Sequence, residues 1–241
     1  MRSIKQRAKA FISSAVKNAM LEREDLALKD ITKEAQRLAL TQSAHYASTR
    51  MNSAHAFDTK WQVLDHAIRH IPNVPGIACE FGVYKGETLR YIGKRSEAKC
   101  YGFDSFTGLP EDWRAGFPAG AFDLGGNPLA DLPKNVELIQ GLFSDTAAKF
   151  ASQIDQPIIL VHIDCDLYTS TLDALNGISS KLHREAVVVF DEYFGYPGWK
   201  QHEHKAWREY TQDHGISFRY LGYNRLHEQV AVKLSGSKAN Q

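Results

Sequence analysis

Residues 76–106 read GIACEFGVYKGETLRYIGKRSEAKCYGFDSF, and most of the chain extends their pattern. A short apolar run from Gly76 to Glu80 meets a turn with glycines at 82 and 86. A stretch with helical spacing follows from Thr88 to Lys94, and a second short run, Cys100 to Asp104, ends on another acid. This is the punctuation of a β-α-β unit. After an irregular stretch rich in Gly and Pro, Thr107 to Lys134, the alternation resumes. Strands are expected over Val136 to Gln140, Pro157 to Asp164 and Ala186 to Asp191, and helices over Thr146 to Ser152, Thr171 to Leu182 and His202 to His214. Ser217 to Leu221 with Gln229 to Leu234 closes the pattern as a strand pair. PIILVHID (157–164) and EAVVVFD (185–191) are almost unbroken in apolar residues, as strands covered by helices on both faces must be. The expected fold class is α/β, a three-layer sandwich around a mostly parallel sheet with an antiparallel C-terminal strand.

Upstream, Leu21 to Leu40 mixes acids, bases, Ala and Leu without Gly or Pro, and Lys60 to His70 reads as a further helix that Pro72, Pro75 and Gly76 end. The expected organisation is a helical extension over 1–72 serving as lid or oligomerisation surface, a domain over 73–234, and a polar tail over 235–241. The first twenty residues carry bases and no acid, with Ile4, Ala8, Phe11, Ile12, Ala15 and Val16 at helical spacing. We read them as an amphipathic helix packed on its own domain or on another subunit of a homo-oligomer; membrane contact or organelle targeting are the competing readings.

The 241 residues are 43% hydrophobic, enough for a substantial core, and the formal net charge of +1 supplies no global field for nucleic acid. Cys79, Cys100 and Cys165 are odd in number and sit in or beside apolar runs, so they read as reduced core residues. No run approaches the roughly 18 apolar residues of a membrane span, and no signal-peptide block is visible; the expected location is the cytoplasm.

Ligands of open parallel sheets bind beyond the carboxyl ends of the strands, and here those ends are acidic. Glu80 opens EFGVYKG, a loop (Gly82, Val83, Tyr84, Gly86) in which glycines permit tight turning and close backbone approach. Asp104 follows after 24 residues, a spacing at which an acid accepts hydrogen bonds from ribose hydroxyls. The glycine pattern is not G-x-G-x-x-G, which cradles a pyrophosphate. An acid with fewer glycines suits a nucleoside with a cationic amino-acid end, such as S-adenosylmethionine. Further acids close the next two long strands: Asp164 and Asp166 in HIDCD, and Asp191 and Glu192 in FDEY. Asp164, Asp191 and Glu192 could converge on a hard divalent cation such as magnesium, which would activate a substrate hydroxyl. Equally, Asp164 and Asp166 could be acids at a helix N-terminus with Thr169, Ser170 and Thr171 as caps. Spacing leaves both readings open.

The segments EFGVYKGETL, YGFDSFTGLPEDW, QGLFSDT, HIDCDLYTSTLDAL, and VVVFDEYFGYPGW followed by HKAW resemble the macrocin O-methyltransferase-like group of class I S-adenosylmethionine-dependent methyltransferases, over about Glu80 to Tyr223. The resemblance implies a Rossmann-like fold, S-adenosylmethionine as donor, and magnesium. Position by position it implies Glu80 and Gly82 near the methionine part, Asp104 at the ribose, Ser105 and Phe106 beside the adenosine, and Gly141 and Asp145 on the adenine side. It also implies Asp164, Asp191 and Glu192 as metal acids; Glu192 departs from the Asp or Asn that related enzymes often carry. Our own reading adds a catalytic role for Asp164 as proton acceptor, which sequence does not separate from a ligand role. The resemblance does not settle the acceptor; a hydroxyl of a sugar or glycosylated small metabolite is the first choice.

The aromatic run Tyr193, Phe194, Tyr196 and Trp199, with Trp113, offers either surfaces for stacking on sugar rings or ordinary packing. His202 and His204, two apart, do not share a helix face and make a poor metal pair, although one could act as a base. His162 reads as a satisfied core histidine, and Ser170 lacks the G-x-S-x-G setting of a hydrolase. The competing functions are an NAD(P)-dependent oxidoreductase on a similar fold, disfavoured by the glycine pattern, and a non-catalytic assembly module, disfavoured by the retained acids.

Overall fold

The structure is a computed structural model and describes residues 11–14, 16, 17 and 29–236. In chain order it runs α1 (Ile31–Arg50), β1 (His55–Phe57), α2 (Lys60–Ile68), β2 (Ile77–Phe81), α3 (Glu87–Arg95), β3 (Lys99–Asp104) and β4 (Val136–Gln140). It continues with α4 (Phe143–Gln153), β5 (Ile158–Ile163), α5 (Tyr168–Ile178), β6 (Leu182–Phe190), α6 (Glu203–Asp213), β7 (Ser217–Asn224) and β8 (Val230–Ser235). All eight strands form one sheet in the order β1-β7-β8-β6-β5-β2-β3-β4. Among the described residues only the β6–β8 and β7–β8 joints of this sheet are antiparallel, so the expected three-layer α/β architecture is what the chain adopts.

Side-chain alternation along the strands builds two cores. Ile77, Cys79, Phe81, Val188 and Phe190 pack with Phe150, Leu175 and Trp207 from α4, α5 and α6. Ala78, Val187 and Val189 face the other way, onto Val63 and Leu64 of α2 and Leu89 and Ile92 of α3. Each fully buried side chain of this size contributes about 1.5–3 kcal/mol, which is why the middle strands tolerate so few polar positions. Strand order reverses between β2 and β5, and the crevice of such a sheet opens at that point.

Several boundaries differ from expectation. The helix expected over Leu21 to Leu40 is instead α1, which starts after Asp30 and runs to Arg50. Asp30 accepts from the backbone N–H groups of Thr32 and Lys33 and so caps it. Residues 21–28 lie outside the described residues, as does most of the proposed amphipathic helix, of which 11–14, 16 and 17 are helical. The Thr- and Ser-containing second half of α1 stays helical because it packs: Ser43 Oγ accepts from Gly195 N at 2.9 Å, and Tyr46 OH meets Tyr220 OH at 2.6 Å. α5 ends at Ile178, a single 3-10 turn spans Ser179–Lys181, and β6 begins at Leu182. The polar start of β6, His183 to Glu185, hid its length. β1 was not expected; it adds three residues parallel to β7 at the sheet edge. Among the described residues no helix is long and apolar enough to cross a membrane.

Where α1 meets α6, the His204 ring lies 5.1 Å from Tyr46, 5.0 Å from Tyr193 and 4.6 Å from Trp199. Burial, with Arg208 and Lys200 nearby, pushes its imidazole down to about 4. A histidine depressed in the folded state stabilises fully above its unfolded value, and that stability is lost as pH falls toward the folded value. Between pH 7 and pH 5 His204 alone should therefore cost about 2 kcal/mol of stability. Urea unfolding at both pH values should show this loss reduced in His204→Phe; an unchanged loss would remove His204 as its source.

Candidate functional site

The loop after β2 is welded to both neighbouring strands. Gly82 N donates to Phe103 O at 3.0 Å, and Asp164 N donates to Phe81 O at 2.8 Å. Gly82 has φ +87°, and a Cβ built there would lie 1.7 Å from the Asp164 carbonyl oxygen. Asp104 pins the same loop: Oδ2 accepts from Val83 N and Tyr84 N at 2.8 Å each, and Oδ1 accepts from Phe106 N at 2.7 Å. Three non-glycine residues around this end of the sheet, Tyr84, Phe106 and Asp166, hold positive φ of 46°, 58° and 63°. Such strain persists only where surrounding structure enforces it, and it concentrates at functional sites.

A cleft of about 600 Å³ opens here. Of the residues marked in sequence, Gly82, Val83, Tyr84, Asp104, Ser105 and Gly141 line one part of it, and Asp164 and Glu192 another. Glu80, Gly86, Phe106, Asp145 and Asp191 do not line it. Gly86 is the N-cap of α3 at φ 71°, Asp145 lies in the first turn of α4, and Phe106 is buried beneath the loop.

Glu80 sits directly opposite His162 in the β2–β5 register, and the two side chains face each other with Oε2 and Nδ1 3.4 Å apart. His162 Nε2 is 3.7 Å from Asp191 Oδ1, and Gln229 Nε2 donates to Asp191 Oδ2 at 3.0 Å. Burial opposes a charge on His162, but Asp191 and Glu80 outweigh it and push the imidazole up to about 10. Burial likewise works against ionisation of Asp191, and the imidazolium overcomes it, holding that carboxyl near 2. Glu80 is raised, chiefly by burial, so Asp191 is the main counter-charge.

The acids therefore divide differently from the expected set. Asp164, Asp166 and Glu192 bring one oxygen each to within 4.8 Å of one another on the cleft side, while Asp164 also groups with His162 and Asp191. The expected trio of Asp164, Asp191 and Glu192 is thus spread over two groups that share Asp164: Asp191 Oδ2 accepts from Gln229 and its Oδ1 lies toward His162, while Asp166 joins Asp164 and Glu192. Asp166 holds its place in this group with a positive φ of 63°. Burial and mutual repulsion push Asp164 and Glu192 well above the usual carboxylate range. Asp166 rises to about 7 by burial, against the pull of Arg114. Glu192 Oε2 is buried without a hydrogen-bond partner. Crowded, under-neutralised oxygens of this kind suit a hard divalent cation such as magnesium.

Sequence reasoning missed the roof of the cleft and Glu203. The irregular stretch after β3 folds back over the site: Thr169 Oγ1 donates to Glu111 Oε1 at 2.6 Å, and Arg114 pairs with Glu228 at 3.2 Å. The Arg114 guanidinium lies 3.9 Å from the Trp113 ring and 4.5 Å from the Tyr196 ring. Of the aromatic residues suggested for stacking, only Trp113 lines the cleft; Tyr193, Phe194, Tyr196 and Trp199 are buried as packing. Neither His202 nor His204 lines it.

Residues 79–193 match the family model of a methyltransferase domain. No curated protein matches the chain. Among solved structures it is similar to the calicheamicin methyltransferase CalS11, at 23% identity over 84% of this chain and 91% of that one, TM-score 0.57. It is also similar to the O-methyltransferase NovP, at 23% identity over 73% of this chain and 77% of that one, TM-score 0.53. An apo structure of CalS11, described as a TDP-rhamnose 3'-O-methyltransferase, gives 23% identity, coverage of 72% and 77%, and a TM-score of 0.52. The chain thus has the Rossmann-like methyltransferase fold, with a mostly parallel sheet and antiparallel C-terminal strands.

Proposed function

We propose that this protein is an S-adenosylmethionine-dependent O-methyltransferase, assisted by magnesium, that acts on a hydroxyl of a sugar or glycosylated small metabolite. One observation carries the reading: the Asp104-pinned loop and the Asp164, Asp166, Glu192 cluster open onto the same cleft. A donor held at the first would present its sulfonium methyl toward an acceptor held at the second. The resemblance to macrocin O-methyltransferases supports the sugar acceptor, as does the TDP-rhamnose substrate described for CalS11.

In this reading Gly82, Val83, Tyr84, Ser105 and Gly141 shape the donor subsite, and the remaining lone pair of Asp104, on Oδ1, accepts from a ribose hydroxyl. Asp164, Asp166 and Glu192 would hold the cation, which supplies a lowered hydroxyl pKa. Asp164 takes the acceptor proton while the acceptor oxygen displaces the donor sulfur from the methyl group in line. The Trp113–Arg114 roof excludes water from the reacting pair. Catalysis is then mostly positioning of two bound reactants.

Calorimetry tests the donor: S-adenosylhomocysteine should bind and NAD(H) and NADP(H) should not, and the reverse result would replace a methyltransferase with an oxidoreductase. Asp104→Ala should raise the S-adenosylhomocysteine dissociation constant roughly ten- to hundredfold, the worth of a hydrogen bond to a charged group at about 1.5–3 kcal/mol. An unchanged constant would remove Asp104 from the donor site.

A further inference from the structure

Glu203 is fully buried in the first turn of α6, yet neither of its oxygens faces the cleft. Oε1 accepts from Cys165 N at 3.2 Å and Oε2 accepts from Glu192 N at 3.1 Å. Cys165 stands between Asp164 and Asp166, and Glu192 is the third acid. One carboxylate therefore bridges the turn after β5 to the turn after β6, through backbone groups adjoining all three acids.

A carboxylate buried this completely is expensive unless hydrogen bonds offset its lost hydration. Glu203 adds a further like charge to a crowded acidic site, and burial with Asp166 nearby pushes its own carboxyl upward. What the side chain gives in return is geometric. It satisfies two buried N–H groups that would otherwise lack partners, and it braces the strained turn at Asp166.

We propose that Glu203 is a positioning residue that fixes the separation of the two acid-bearing turns and so tunes cation affinity without touching cation, donor or acceptor. This rests on the cation-assisted reading above. Groups that orient ligands from behind typically change metal affinity 10–100-fold when removed. Glutamine at 203 keeps the shape and one acceptor but turns an amide N–H against one of the two backbone donors.

The test uses the full chain with Mn²⁺ as the probe, read by electron paramagnetic resonance and calorimetry beside S-adenosylhomocysteine binding. Glu203→Gln should raise the Mn²⁺ dissociation constant about 10–100-fold, and Glu203→Ala more, while S-adenosylhomocysteine affinity stays within about threefold, a split that general loosening would not produce. Equal loss of both affinities, or lowered thermal stability with unchanged Mn²⁺ affinity, would overturn the proposal and leave Glu203 a structural residue. Should the alanine variant fail to fold, the glutamine variant decides. Should the wild-type chain bind no Mn²⁺, the cation-assisted reading falls by itself. A crystal structure of Glu203→Gln then decides the positioning role: separated turns support it, and turns that stay together overturn it.

Discussion

Gly82→Ala should leave a chain that unfolds far more readily than wild type and binds no donor. The added Cβ would sit 1.7 Å from the Asp164 carbonyl oxygen, a backbone atom that no rotamer change can move away. The residue would also hold φ +87°, a region alanine disfavours. Strain at such a φ costs about 1–3 kcal/mol and forced overpacking about 1–3 kcal/mol more. Together they threaten a large part of a stability that is ordinarily about 5–15 kcal/mol. Relief requires the loop after β2 or the end of β5 to shift, and both border the cleft, so even the folded fraction loses its donor site. Gly116→Ala is the control: its φ is +91°, but an added Cβ meets nothing within 4 Å. That variant should lose only about 1 kcal/mol and bind S-adenosylhomocysteine normally. Urea unfolding and calorimetry on both decide the matter. A Gly82→Ala protein as stable as Gly116→Ala would mean that the loop does not pack against β5 as described.

That glycine was visible in the sequence, but its neighbour's role was not. The unbroken apolar runs of β5 and β6 announce central strands, and the acids that follow announce which end of the sheet is polar, because strands of this type have few other polar positions. How those acids are shared depends on register. Glu80 lies opposite His162 across two strands separated by about eighty residues of chain, and a pairing so distant has no local signature. The same limit hid Glu203, whose partners Cys165 and Glu192 come from two other turns. β1 was unreadable for another reason: a three-residue edge strand is too short to show alternation. The roof over the cleft looked like an irregular loop because it is one; only tertiary contacts such as Arg114 with Glu228 give it a fixed place.

Asp164→Asn should weaken cation binding and methyl transfer by roughly 10²–10⁴-fold, several kcal/mol at about 1.36 kcal/mol per decade. Asp164 is the residue that both acid groups share. In the proposed reading its loss removes a ligand oxygen and the acceptor of the hydroxyl proton, while S-adenosylhomocysteine, which that reading places at the other part of the cleft, should bind within about threefold of wild type. The ligand set itself is separated by a second pair of variants. Asp166→Asn removes a carboxylate that turns toward the cleft and should reduce Mn²⁺ affinity with little effect on unfolding. Asp191→Asn instead strips the buried His162 imidazolium of its main counter-charge, and breaking a buried pair from one side costs about 3–5 kcal/mol of stability. Its primary signature should therefore be a lowered unfolding midpoint. If Asp191→Asn abolished Mn²⁺ binding at unchanged stability while Asp166→Asn bound normally, the cation would belong with Asp191, and the carboxylates would have to rearrange around it when it binds.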